Sequence, residues 1–208
     1  QCNTALKQTD YDNEIAVLSP VRPGGQLHTL YRPDGRRFVG EIDLASLADG
    51  DGLPEVSHLA RVGDRVYASV ERLDRQTTWG PVAPSYVAVL DPASDALEEV
   101  IVLEGQNPVG PLRHLGDSAD LVVTVSGPWD GSGAGLERVD TLGRASSLAL
   151  GAAELGGIPT AFTLDATGCG FAVVTEPGTF DTGVVRYCLG GGVTSCVPLG
   201  ERKVTLLA

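Results

Sequence analysis

Apolar and polar positions alternate along most of the chain with a period of two, the repeat of a pleated strand. The clearest case is SYVAVLDPASDALEEVIVLEG, where Tyr86, Ala88 and Leu90 interleave with Val87 and Val89. DPASDA then supplies a turn through Asp, Pro and Ser, and EEVIVLEG the return strand. Upstream, VYASV and YVAVLD flank a polar connection that contains Trp79 and is about twice as long as a hairpin requires. No amphipathic segment of helical period reaches about ten residues; SLALGAAELGG has helix-forming residue types but is short and broken by Gly. The pattern predicts an all-β protein and excludes a βαβ architecture, which needs helices between its strands.

The alternation also repeats. LPEVSHLARVGDRVYASV, GPLRHLGDSADLVVTV and IPTAFTLDATGCGFAVV each run from a Pro, through an apolar step and a Gly/Asp turn, into an alternating strand. Pro54, Pro111 and Pro159 mark the starts, at spacings of 57 and 48 residues. A second strand pair follows each, as in GVVRYCLGGGVTSCVPLG. EIAVLS, QLHTLYR and RFVGEIDL fit the same unit more loosely. The unit is four strands in roughly 50 residues, repeated about four times, which is the period of β-propeller blades. The expected organisation is one domain over residues 1–208. Its blades fall near 1–50, 51–108, 109–156 and 157–200, with a tail or ring-closing strand at 201–208.

SYVAVLDPASDALEEVIVLEGQNP resembles the YVTN-type propeller repeat of secreted and cell-surface bacterial proteins, with its strand, D-x-x-x-x turn, return strand and closing x-N-P. PTAFTLDATGCGFAVV resembles the inner part of that repeat, and DGDGLPE followed by RVYASVERLDR is similar to proteins of the same class. The likeness runs from about Asp49 to about Gly200. Proteins of this kind usually carry more blades than this length holds. The resemblance therefore implies either a small closed ring or part of a larger one, completed by another copy, a partner chain or further sequence. An open arc exposes strand edges, which proteins normally protect, so self-association is expected.

Composition narrows the partners. The formal charge is -12 and the pI about 4.5, and no basic run is present, so nucleic-acid binding is excluded as an expectation. No stretch approaches the roughly 18 apolar residues of a membrane helix, and no signal peptide is visible. The chain contains no Met, and is read as processed, trimmed or a fragment. Four cysteines, Cys2, Cys169, Cys188 and Cys196, lack the CxxC spacing of zinc sites and favour disulfides. Cys188 and Cys196 flank a glycine-rich turn and are the expected first pair, with Cys2 and Cys169 as a second. Disulfides put the protein in an extracellular, periplasmic or outer-surface location.

The candidate chemistry lies in loops. Trp79, Trp129 and Phe180 recur at spacings of 50 and 51, each in the connection between the second and third strand of a unit. They occur as TWG, PWD and TFD, which adds Asp130 and Asp181, with Arg75 nearby. Aromatics stack on sugar rings or pack on peptide side chains, and Trp and Arg lead at binding hot spots. The structural alternative is that each ring plugs the neighbouring blade. Asp49, Asp51 and Glu55 in ADGDGLPE are carboxylates spaced around Gly, which suits a hard cation such as Ca²⁺, although the EF-hand pattern is absent. His58 and His114, with Phe162, are read as equivalent positions on the first strand of three units. GDSAD around Ser118 lacks the context of a hydrolase nucleophile and reads as a turn.

Three functions compete. The first is a secreted or surface binding and scaffold protein for a protein, peptide or carbohydrate ligand, with no chemistry of its own. The second is a calcium-dependent propeller hydrolase, lactonase-like. The third is a structural subunit that completes a larger propeller by edge-strand pairing.

Overall fold

The computed structural model describes the backbone of residues 16–18, 21–22, 25–32, 37–190 and 192–198, and the side chains of residues 42–190. Within these limits the chain is almost entirely β, in four antiparallel four-stranded sheets. The first contains β1 (Ala16–Leu18), β2 (Val21–Arg22), β3 (Gly25–Arg32) and β4 (Arg37–Asp43), with β1 and β2 on one side of β3 and β4 on the other. The second is β5 (Val56–Val62), β6 (Arg65–Val70), β7 (Tyr86–Asp91) and β8 (Ala96–Val102), in that spatial order. The third is β9 (Pro108–His114), β10 (Leu121–Val125), β11 (Gly135–Asp140) and β12 (Ala145–Gly151). The fourth is β13 (Ile158–Phe162), β14 (Cys169–Thr175), β15 (Thr182–Cys188) and β16 (Gly192–Pro198). The helical content is one turn at Ala45–Leu47 and α1 (Ala152–Leu155), where SLALGAAELGG had shown only helix-forming residue types.

The chain divides into two compact units, residues 1–103 and 104–208. In the first unit, Ile42, Leu44 and Leu47 pack with Val66, Ala68, Val70, Ala88 and Leu90, so the end of β4 covers one face of β6 and β7. In the second, Val122, Leu136 and Leu150 pack with Leu155, Phe162, Ala172, Val174, Val185 and Tyr187. The middle strands of the second and third sheets are largely buried on both faces. Every residue of β10 and Val87–Leu90 of β7 is buried, which is why these strands read as continuous apolar runs as well as alternating ones. The outer strand β8 is mostly exposed or half-exposed, and carries Glu98 and Glu99.

Turns between the third and fourth strands use the aspartates foreseen from DPASDA. Asp91 Oδ1 accepts the Ala93 N–H at 3.0 Å and Oδ2 the Ser94 hydroxyl at 2.8 Å. Asp140 caps the equivalent turn through the N–H groups of Leu142 and Gly143, at 3.0 and 2.7 Å. Such Asx turns let a short side chain replace a missing backbone partner. Ser118 behaves in the same way, donating to the Leu115 carbonyl at 2.7 Å and accepting the Asp120 N–H at 3.2 Å.

Two expectations are corrected. The disulfide joins Cys169 to Cys188, so neither the Cys188–Cys196 nor the Cys2–Cys169 pairing holds. Register explains it. Cys169 and Cys188 are directly opposite on β14 and β15, whereas Cys196 on β16 faces Val185, and Cys188 faces Gly192. The side chains of Cys2 and Cys196 lie outside the described residues, as does the expected closing segment 201–208. The histidine equivalence also fails. Val56, Pro108 and Ile158 each pair with the last residue of the next strand, Val70, Val125 and Thr175. Counted from there, His58, Phe162 and His114 stand two, four and six residues further along, at three different depths. Register shifts in all three strand pairs change the residue count along each first strand.

Candidate functional site

The connection from β6 to β7, residues 71–85, is a built element. The Val82 N–H donates to the Arg72 carbonyl at 2.8 Å, Leu73 and Pro81 form an antiparallel bridge, and the Asp74 N–H donates to the Gly80 carbonyl at 2.9 Å. The strands thus continue as a narrow ribbon, and only residues 75–79 form its tip. Asp74 organises that tip. Its carboxylate accepts the N–H groups of Gln76 and Thr77, each at 3.0 Å, and the hydroxyls of Thr77 and Thr78. These donors, the Thr77 hydroxyl foremost, hold its pKa down to about 2.

Trp79 ends the tip. Its N–H returns to the Asp74 carbonyl at 2.7 Å, its φ is 56°, and its side chain is 59% exposed. A bulky residue with positive φ carries strain that its surroundings must sustain. The β14–β15 connection repeats the arrangement at shorter length. The Phe180 N–H donates to the Glu176 carbonyl at 3.0 Å, the Glu176 N–H donates to the Asp181 carbonyl at 2.9 Å, and Phe180 has φ 61° and is 73% exposed. Trp129, between β10 and β11, is 75% exposed on a loop closed by the Gly131 N–H to the Pro128 carbonyl. The three aromatics expected at one station therefore all reach solvent, and none is a buried plug.

Within the second unit the Trp129 and Phe180 loops abut. A Cβ placed on Gly131 would lie 3.0 Å from Ile158 Cγ1 and 3.3 Å from Pro177 Cγ, so a side chain there would press on both, and the φ of 75° favours glycine. Asp130 and Asp181 follow the two rings and are exposed. Asp130 Oδ1 accepts the Ser132 N–H at 2.9 Å and hydroxyl at 2.7 Å, which keeps its carboxyl below the usual range.

Arg75 is committed inside its own unit. Its Nε lies 2.9 Å from Glu55 Oε1, and its guanidinium sits 5.7 Å from the centre of the Trp79 ring. Glu55 is 4% exposed, with φ 45°, and its Oε2 accepts the Leu73 N–H at 2.8 Å. Burial raises its pKa to about 7, against the opposing pull of the Leu73 N–H and Arg75 and with a further push from Asp51 and Asp49. Asp49 Oδ1 caps the Asp51 N–H at 3.0 Å, and Asp51 Oδ1 caps the Leu53 N–H at 2.8 Å. The Asp49 carboxyl is held above its usual value, first by burial and then by Asp51 beside it. Asp51 Oδ2 is buried without a hydrogen-bond partner. Among the described residues, no three acidic, His or Cys side chains are grouped so as to hold a metal ion. Sequence reasoning missed the Glu55–Arg75 pair; the signal lay in its sequence distance, which only the β5–β6 pairing closes.

No family model matches the sequence, and no curated protein does. Solved structures do. A chain of Kuenenia stuttgartiensis hydrazine synthase superposes with a TM-score of 0.60 at 14% identity, over 90% of this chain and 60% of that one. Luciferin-regenerating enzyme superposes with 0.54 at 12% identity, over 96% and 64%. The Dos1 propeller superposes with 0.50 at 8% identity, over 89% and 44%. The chain thus spans less than two thirds of each. Together with the four-stranded antiparallel sheets, these likenesses show a β-propeller fold. At such identity they speak to fold alone. No helix among the described residues is long and apolar enough to cross a membrane.

Proposed function

We propose that this chain is a binding and scaffold β-propeller of the secreted or cell-surface YVTN type, with no chemistry of its own, which contacts ligands through exposed aromatic loops, that of Trp79 in the first unit and those of Trp129 and Phe180 in the second. The observation that carries the reading is the exposure of all three rings, two of them on left-handed backbone. Strain kept at the exposed Phe180 supports a role in contact, because neither packing nor local propensity rewards it. Asp130 and Asp181 complete the contact set. Arg75 serves it indirectly, by backing the Trp79 ring. The Cys169–Cys188 disulfide supports an extracytoplasmic location.

The test compares wild type with the Trp79→Ala, Trp129→Ala, Phe180→Ala triple variant on one panel of peptides and oligosaccharides. Loss of the wild-type hits with an unchanged melting temperature is the expected result. Hits that persist at full strength would move the site elsewhere.

A further inference from the structure

The first unit contains a worked example of what an exposed ring of this chain takes. Arg75 lies over Trp79 at 5.7 Å from its centre, and its Nε lies 2.9 Å from a Glu55 carboxylate oxygen. Ring and carboxylate together hold a guanidinium, the arrangement in which a ring's negative face adds to an ion pair. The second unit repeats two of these parts. Trp129 and Phe180 are exposed on abutting loops, and Asp130, Asp181 and Glu176 are exposed carboxylates in the same loops. The third part is missing from the sequence there. Residues 126–134 and 176–183 contain no Lys, Arg or His.

We propose that the Trp129 and Phe180 loops take the Arg and Lys side chains of a basic partner peptide, in the place that Arg75 fills beside Trp79. This inference rests on the loop-binding reading above and names its ligand chemistry. The openness of the surface selects a peptide over a small free cation. With the rings 75% and 73% exposed, each cation stays partly hydrated and binds weakly, so affinity requires several cations on one backbone. A formal charge of -12 draws such a partner in and repels an acidic one.

Fluorescein-labelled octa-arginine, titrated at about 0.15 M salt to screen long-range attraction, tests the proposal. Octa-glutamate and cellohexaose serve as comparators. The Trp129→Ala, Phe180→Ala variant keeps every charge, so general attraction to an acidic protein is unaffected by it. The expected result is binding that weakens about five- to thirtyfold in this variant, at unchanged melting temperature. The Asp130→Asn, Asp181→Asn variant weakens binding as well. Octa-arginine that binds wild type and ring variant equally, or does not bind wild type, overturns the proposal. If cellohexaose binding then depends on the two rings, the loop-binding reading stands and only the cationic ligand falls. If no probe depends on the rings, both fall.

Discussion

The connections that present Trp79 and Phe180 join equivalent strands of two sheets, and they hold their rings up by different means. Residues 71–85 form a hydrogen-bonded ribbon fastened by the Asp74 carboxylate and, at its base, by Glu55, which accepts the Leu73 N–H and pairs with Arg75 of the tip. Residues 176–181 form a tight loop with no such base; their hairpin is closed at its far end by the Cys169–Cys188 bond. The tips nonetheless converge. In both, the aromatic N–H returns to the carbonyl of the residue that opens the tip, and φ is 56° or 61°. The feature common to both is the raised ring on strained backbone, and loop length is free to vary around it. The longer loop has also taken in its own cation, which the shorter one has not.

The largest effect should come from the covalent side of this comparison. Cys169→Ser with Cys188→Ser removes a crosslink between residues 19 apart, and should lower stability by about 3 kcal/mol in denaturant unfolding. The second unit should lose it while hydrogen exchange in residues 71–85 stays the same. A loss shared by both loops would end the claim that they are fastened independently.

Glu55 tests the other side. Glu55→Ala leaves the buried Leu73 N–H without its acceptor, and should cost about 2 kcal/mol at about pH 4, where the contribution of Glu55 is full. The pH dependence has a definite sign. A carboxyl raised from 4.5 to about 7 on folding is bound by a proton more readily in the native state. Its contribution is therefore full below pH 4.5 and is lost as pH rises through 7. Glu55→Gln should flatten that slope, as read from melting temperatures across the window; an unchanged slope would assign it to another group.

Glycine separates strain from contact, with the smallest effect. Phe180→Gly relieves left-handed strain and should raise stability by about 0.5–1 kcal/mol. Trp79→Gly relieves the same strain but forfeits the stack with Arg75, worth about the same, and should be near neutral. A loss of stability in Phe180→Gly would mean that the ring packs after all.

The alternation over Tyr86–Leu90 and the DPASDA turn made the all-β blades legible in advance, because both depend on local periodicity, whereas the aromatic spacing left open whether the rings are exposed or packed. The disulfide, the histidine depths and the Glu55–Arg75 pair were not legible. Each is decided by strand register, and the register shift between Pro159 and Ala161, like those in the other first strands, changes which residues face each other without any mark in the composition. The ribbon stem of residues 71–85 escaped for a related reason. Its pairing partners are Pro81, Val82 and Gly80, which do not read as a strand.

The Cys169–Cys188 bond encloses the whole Phe180 loop. A protease that cuts this exposed tip would leave the two fragments chained together, with β14 still laced to β15. The nick would be silent on a non-reducing gel and in the size of the folded protein, and would show only after a thiol is added. Any partner recognised by the strands would remain bound through the cut, while one that reads the intact turn would be released.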